Sequence, residues 1–218
     1  MNRILFSKTG LAKYISHLDL MRTMQRAMLR AGFKIKHTQG FNPHPVMVFA
    51  LPLPVGCESA CELMDFELID PKSDGEIVAG MNRTLPDGVR ILEAYTPERK
   101  FKELAKVSMS IVYTYDRGIS DSDADRLMEL FKSDSLIVNK KTKKGFADID
   151  ILPMMDDIRL SVINDTDIRL ETVISAQEPS LNPLLITAAV SKYMPEMAPD
   201  GVSYFRKEIY DKSMNIFR

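Results

Sequence analysis

Ser16-His17-Leu18-Asp19-Leu20-Met21-Arg22-Thr23-Met24-Gln25-Arg26-Ala27-Met28-Leu29-Arg30-Ala31-Gly32 reads as one amphipathic helix with a signal at each end. Ser16 followed three residues later by Asp19 is a capping-box pattern, which satisfies free amides at a helix start and places negative charge where the helix dipole favours it. Leu20, Met24, Ala27, Met28 and Ala31 recur with the 3.6-residue period of a buried stripe, and Gly32 is placed to end the helix. On the opposite arc, Arg22, Arg26 and Arg30 are spaced four apart and therefore stack on one face.

Working outward, residues 3–7 read as a strand before this helix. After it come a strand over 33–37, a constrained loop over 39–45, a strand over 46–51, a turn over 52–59 and a strand over 61–69. A helix over 74–84 and a strand over 89–95 follow, with Pro86-Asp87-Gly88 supplying turn chemistry between them. The order β, α, β, β, α, β, with one additional strand, is the ferredoxin-like pattern. Residues 97–106 form a polar connector, beyond which the pattern repeats: strands over 107–115, 136–140, 149–152, 158–163, 168–175 and 204–210, and helices over 120–132 and 184–193. The predicted class is α+β, as two tandem ferredoxin-like (βαββαβ) halves. A basic half over 1–96 carries the candidate site, and a second half covers 107–218.

A chain of 218 residues, 45% hydrophobic and 27% charged, buries a core without needing disulfides or metals. No apolar run reaches the roughly 18 residues of a spanning helix, and the first residues are too soon charged for a secretory signal, so the expected setting is cytoplasmic and away from membranes. The net charge of -1 hides an asymmetry. Residues 1–50 hold eight basic residues against Asp19 alone, a local charge of +7, and the remainder holds 21 basic against 29 acidic, or -8. Such a block points to an anionic partner: RNA, a nucleotide or an acidic protein face. The plainer alternative is that the two halves neutralise each other internally.

Gln39-Gly40-Phe41-Asn42-Pro43-His44-Pro45 is the most unusual stretch. Each proline pushes the residue before it to an extended conformation, so the Asn42 amide and His44 imidazole are expected to project the same way from a stiff loop. His44 can exchange a proton near neutral pH, and the same residues also read as a turn whose side chains cap their own backbone. His17 and Asp19 lie at the helix start, where amides favour an anion, and Arg22 lies one turn on. His37 is expected to be a simple exposed position. Cys57 and Cys61 form a C-x3-C pair with no second ligand pair, and small buried side chains on a strand are the expected reading, with no metal site. No phosphate loop, dinucleotide fingerprint, nucleophile elbow or iron-sulfur cysteine run occurs, so no cofactor is expected. The Lys140-Lys141-Thr142-Lys143-Lys144 turn would extend a basic groove if it faced the arginine helix.

The run Tyr14-Ile15-Ser16-His17-Leu18-Asp19-Leu20-Met21-Arg22, then Arg26 and Arg30-Ala31-Gly32, then Gln39 to Pro45, resembles the radical-SAM-associated (radical-SAM-linked) family of unknown function. Pro52-Leu53-Pro54-Val55-Gly56 with Ser59, Glu62 and Asp65 continues the resemblance. It implies a working partnership with a cobalamin-binding radical SAM protein. This chain carries no radical SAM cysteine motif, so it resembles the separate form, with its partner in trans. The resulting expectation is an RNA-binding or substrate-presenting accessory protein in tRNA or rRNA modification. Arg22, Arg26 and Arg30 would position phosphates, Phe41 would stack a base, and Gln39, Asn42 and His44 would orient it. One rival is a phosphoryl-transfer or RNA-processing enzyme using His44 or His17 as general acid or base. Another is a protein-docking adaptor without nucleic acid.

Overall fold

In a computed structural model that describes residues 1–142 and 145–218, the chain is a mixed α+β protein with antiparallel sheets and four α-helices among the described residues. It divides into two compact units: Met1–Glu103 together with Ile216–Arg218, and Leu104–Asn215.

In the first unit β1 (Asn2–Lys8) is flanked by β3 (Cys57–Phe66) and β4 (Val89–Tyr95), both antiparallel to it, and β2 (Met47–Phe49) pairs antiparallel with β3. The order is β4-β1-β3-β2. Successive strand side chains point to opposite faces. Ile4, Phe6, Met64, Phe66, Val89 and Ile91 therefore share one face, which helices α1 (His17–Arg30) and α2 (Asp74–Asn82) cover with Leu20, Met24, Ala27, Met28, Ile77 and Met81. Both helices are closed by local chemistry. The Ser16 hydroxyl caps α1, and Gly32, at φ +80°, ends it: the amides of Gly32 and Phe33 return to the carbonyls of Leu29 and Met28. Ser73 and Glu76 form a reciprocal capping box on α2.

The second unit likewise places two helices among antiparallel strands, and it carries a separate two-stranded hairpin as well. β5 (Leu104–Thr114) lies between β10 (Gly201–Asp211) and β9 (Asp167–Ser175), and β8 (Met155–Val162) pairs with β9, giving β10-β5-β9-β8, all antiparallel. Helices α3 (Asp121–Phe131) and α4 (Leu184–Tyr193) connect them, and the hairpin of β6 (Ile137–Thr142) and β7 (Gly145–Asp150) follows α3.

Two expected strands are shorter than the sequence suggests. Residues 33–37 form only isolated bridges, Ile35 to Leu68 and His37 to Pro45, and the strand over 46–51 contracts to Met47–Phe49. Pro45 has no N–H to donate and Pro52 closes the far end, so the ladder between them has little room. Part of the Lys140–Lys144 turn, at Lys143 and Lys144, lies outside the described residues. Lys140 itself donates to the Ser180 carbonyl at 3.0 Å.

Candidate functional site

The start of α1 is already occupied by its own acid. The Ser16 hydroxyl accepts from the Asp19 amide at 3.2 Å and donates to the Asp19 carboxylate at 2.7 Å. Arg22 reaches the other carboxylate oxygen at 3.2 Å. The Ser16 hydroxyl, followed by Arg22, holds the Asp19 carboxyl below its ordinary value. A carboxylate that stays ionised at the helix start fills the place expected for a phosphate. His17 is half-buried and turns edge-on to Phe49, with ring centroids 5.3 Å apart at 81°, which is packing geometry.

The arginine face forms as the helical period requires: Arg22, Arg26 and Arg30 are all exposed. Their settings differ. Arg22 pairs with Asp19, and Arg30 donates to the Thr84 carbonyl at 2.7 Å, tying the end of α1 to the exit of α2. Among the described residues Arg26 makes no hydrogen bond or ion pair. Other positive groups of residues 1–50 are engaged within this unit. Lys36 meets Glu67 at 2.6 Å, Lys34 meets Asp70 at 3.6 Å, and Arg3 and Lys8 are buried.

The loop over residues 38–44 is closed on itself. The Thr38 amide donates to the His44 carbonyl at 2.9 Å, and the His44 amide donates to the Thr38 hydroxyl at 3.2 Å. The imidazole folds back, placing Nδ1 3.1 Å from the Asn42 carbonyl oxygen and 3.2 Å from the Thr38 hydroxyl. A carbonyl oxygen only accepts, so the contact to Asn42 is a hydrogen bond when Nδ1 carries a proton, and the ring itself is exposed. His44 therefore addresses the Asn42 backbone, which is the self-capping half of the sequence expectation. Gln39, Phe41 and Asn42 are exposed, Phe41 completely so. His37 is exposed too, with Nδ1 3.1 Å from the Ile35 carbonyl. Among the described residues no hydrogen bond, ion pair or ring contact joins this loop to His17 or to the three arginines.

Arg3 enters the sequence reading only as part of the local positive charge, and the structure buries it completely. Its guanidinium donates to both carboxylate oxygens of Asp65, at 2.6 and 2.9 Å, and to the Arg99 carbonyl at 2.8 Å. It lies 4.2 Å from the Phe101 ring centre and 5.4 Å from that of Phe217. The available signal was the strand itself, since Arg3 sits two residues before a buried Leu5 on the same face. Cys57 and Cys61 are buried on β3, four residues apart, which along a strand is roughly 13 Å and too far for one ion to bridge.

These features define a two-unit α+β protein whose first unit exposes an arginine-bearing helix and a stiff aromatic loop. The chain belongs to the bacterial family described as "Uncharacterized protein conserved in bacteria (DUF2344)", which matches residues 2–183. No curated protein matches the chain. Among solved structures it is similar to a chain of a Cbf5-Nop10-Gar1 complex, at 9% identity and a TM-score of 0.50. That match covers 95% of this chain and 48% of the other, so this chain spans about half the length of that protein. A protein from Galdieria sulphuraria described as unknown matches at 11% identity and a TM-score of 0.27, over 96% of both chains. Among the described residues no helix is long and apolar enough to cross a membrane.

Proposed function

We propose that this chain is an RNA-binding accessory protein, acting in the cytosol to present tRNA or rRNA to a cobalamin-binding radical SAM enzyme supplied in trans. The observation that carries the RNA reading is Phe41, a wholly exposed ring at the tip of a loop held by its own hydrogen bonds. A ring left in water without a packing partner is available for a base to stack on. Arg26 and Arg22 offer guanidinium groups to phosphates, and the exposed Arg22–Asp19 pair is weak enough for a phosphate to compete with it. The enzyme partner is supported by the resemblance carried by residues 14–65. In the same reading each unit is a ferredoxin-like half, supported by the βαββαβ order and the matching strand orders β4-β1-β3-β2 and β10-β5-β9-β8, with β6 and β7 as an inserted hairpin.

The test is binding of the purified chain to bulk tRNA at low and moderate salt. Binding should weaken steeply with salt, and Phe41→Ala should lose roughly 5- to 100-fold, the worth of one stacked base. Arg22→Ala with Arg26→Ala should flatten the salt slope. Salt-independent binding, or none, overturns the reading. A catalytic reading draws on the exposed imidazole of His44. It requires turnover of RNA by the isolated chain that disappears in His44→Ala while tRNA binding is retained.

A further inference from the structure

Between the end of α1 and helix α2 lies an open cleft of about 440 Å³. Glu76, Ala79 and Arg83 line it from the α2 side at helical spacings of three and four, with Lys72 just ahead of the Ser73 cap. Ala31, Gly32 and Phe33, the residues by which the chain leaves α1, form the other wall. The two walls are fixed to each other. The Thr84 hydroxyl donates to the Ala27 carbonyl at 2.9 Å, and Arg30 donates to the Thr84 carbonyl at 2.7 Å. The Phe33 ring lies so close to Gly80 that a Cβ there would meet it at 2.5 Å.

Three guanidinium groups gather at this junction with no carboxylate against them. The Arg30 partner is a neutral carbonyl, and Arg83 is the residue before the one that supplies it. Arg26 stands one turn back on α1, and both it and Arg83 are exposed. Among the described residues neither the Arg26 nor the Arg83 side chain makes a hydrogen bond or ion pair. Glu76 is the one carboxylate in the lining of the cleft. The Ser73 amide, and then the Ser73 hydroxyl, hold the Glu76 carboxyl below its ordinary value, so it stays ionised, and Lys72 faces it at 3.9 Å. One acid against Lys72 and Arg83 leaves the cleft positive, and Arg26 and Arg30 add to that charge from α1.

We infer that this cleft takes a phosphate of the bound RNA, with Arg83 as its direct contact and with Arg30 and Arg26 continuing the phosphate path along α1. This extends the RNA reading and rests on it. A guanidinium suits the role because it offers phosphate oxygens a planar pair of donors. The walls favour a phosphate over a protein side chain. Ala31, Gly32 and Ala79 are small, and the Phe33 ring is buried, so the cleft presents no large apolar anchor of the kind that protein interfaces use.

The test compares the full chain and its Arg83→Ala variant in binding to bulk tRNA across a salt series. The control is Arg90→Ala. Arg90 is exposed and also has no ion pair among the described residues, but it lies between Val89 and Ile91 on β4 and so points to the sheet face away from both helices. Arg83→Ala should reduce the slope of log K against log salt by about one, the worth of a single phosphate contact, and Arg90→Ala should leave it unchanged. Arg83→Lys should keep the slope, because lysine still supplies the charge. A second readout needs no variant: tRNA should block phenylglyoxal modification of Arg83 in the wild type, mapped by peptide mass spectrometry, and should not block that of Arg90. Three results would each overturn this inference and leave the Phe41 reading standing: an unchanged slope in Arg83→Ala, equal losses in the two alanine variants, or an Arg83 that stays reactive in the tRNA complex. Protection of Arg83 by poly-glutamate but not by tRNA would assign the cleft to an acidic protein and overturn the inference as well. Absence of tRNA binding in the wild type overturns both readings.

Discussion

Arg3 is held from both sides of the strand that carries it. The register of β1 sets it opposite Asp65 on β3 and opposite Tyr95 on β4, so one guanidinium faces a carboxylate on one side and a phenol on the other. Two nitrogens serve Asp65. The third, Nη1, and the Tyr95 hydroxyl are both buried without a partner among the described residues. Burial raises the Tyr95 pKa, with the charge of Arg3 opposing it, so the phenol stays protonated as a neutral neighbour. A buried pair of this kind is costly to halve, because the surviving charge loses its compensation without regaining water. Asp65→Ala should therefore cost on the order of 3–5 kcal/mol in urea denaturation of the full chain. Replacing both partners, as in Arg3→Met with Asp65→Leu, should cost clearly less than Asp65→Ala alone. A double variant as unstable as the single one would mean that the guanidinium earns its stability from Phe101, Phe217 and the Arg99 carbonyl and owes little to the carboxylate.

Elements defined by local chemistry were legible in the sequence, and those defined by distant pairing were less so. Helix α1 starts and stops where Ser16 and Gly32 place it, and α2 begins at the Ser73 cap, because caps act within a few residues. Residues 33–37 alternate like a strand, yet two of their backbone bonds, Lys36 to Glu67 and Ile69 to Lys34, join partners more than thirty residues away whose register no local pattern sets. The capping of the candidate loop by its own side chains was one of the two readings its sequence left open. The inward turn of its imidazole was not legible, because that depends on how Thr38 closes the loop onto His44. The exposure of Leu11 and Val55 was also hidden, since short apolar stretches read the same whether covered or bare. The 3-10 turn Gly10–Tyr14, which carries Leu11, permits a test at this scale. Gly88 has φ +83°, and a Cβ there would lie 2.4 Å from the Thr9 carbonyl oxygen and 2.9 Å from the Ala12 side chain. Gly88→Ala should destabilise the chain by about 1–3 kcal/mol and speed hydrogen exchange of the Thr9 amide, whose acceptor is the Gly88 carbonyl. A substitution that leaves both unchanged would show that the 3-10 turn is not braced by this contact.

Across the whole chain, ion pairs form inside each unit, and in the first they bring Arg3, Lys34 and Lys36 of the basic segment against Asp65, Asp70 and Glu67. Lys36 with Glu67 serves the first unit, and Arg117 with Asp123 and Lys207 with Glu171 serve the second. In each of these pairs the acid's largest pKa-lowering contact is its basic partner. Side-chain hydroxyl and amide donors act similarly elsewhere: Ser16 on Asp19, and Thr114 with Asn164 on Asp167. A carboxyl that ionises more readily in the folded chain than in the unfolded one binds fewer protons when folded, so stability rises with pH through that interval. The stabilisation is complete above the ordinary values of 4.5 for Glu and 3.8 for Asp, and is lost as pH falls through the lower folded values. The melting temperature should therefore fall steeply below about pH 4, in both units, as these carboxylates protonate. Lys36→Met should return the Glu67 carboxyl toward its ordinary value, readable by carboxyl NMR titration, while leaving Asp167 unmoved because hydrogen bonds from Thr114 and Asn164 hold it. If the acid transition began well above pH 5, the controlling groups would be other than these carboxylates, and the paired charges would have to be counted as ornament on folds stabilised by their apolar cores.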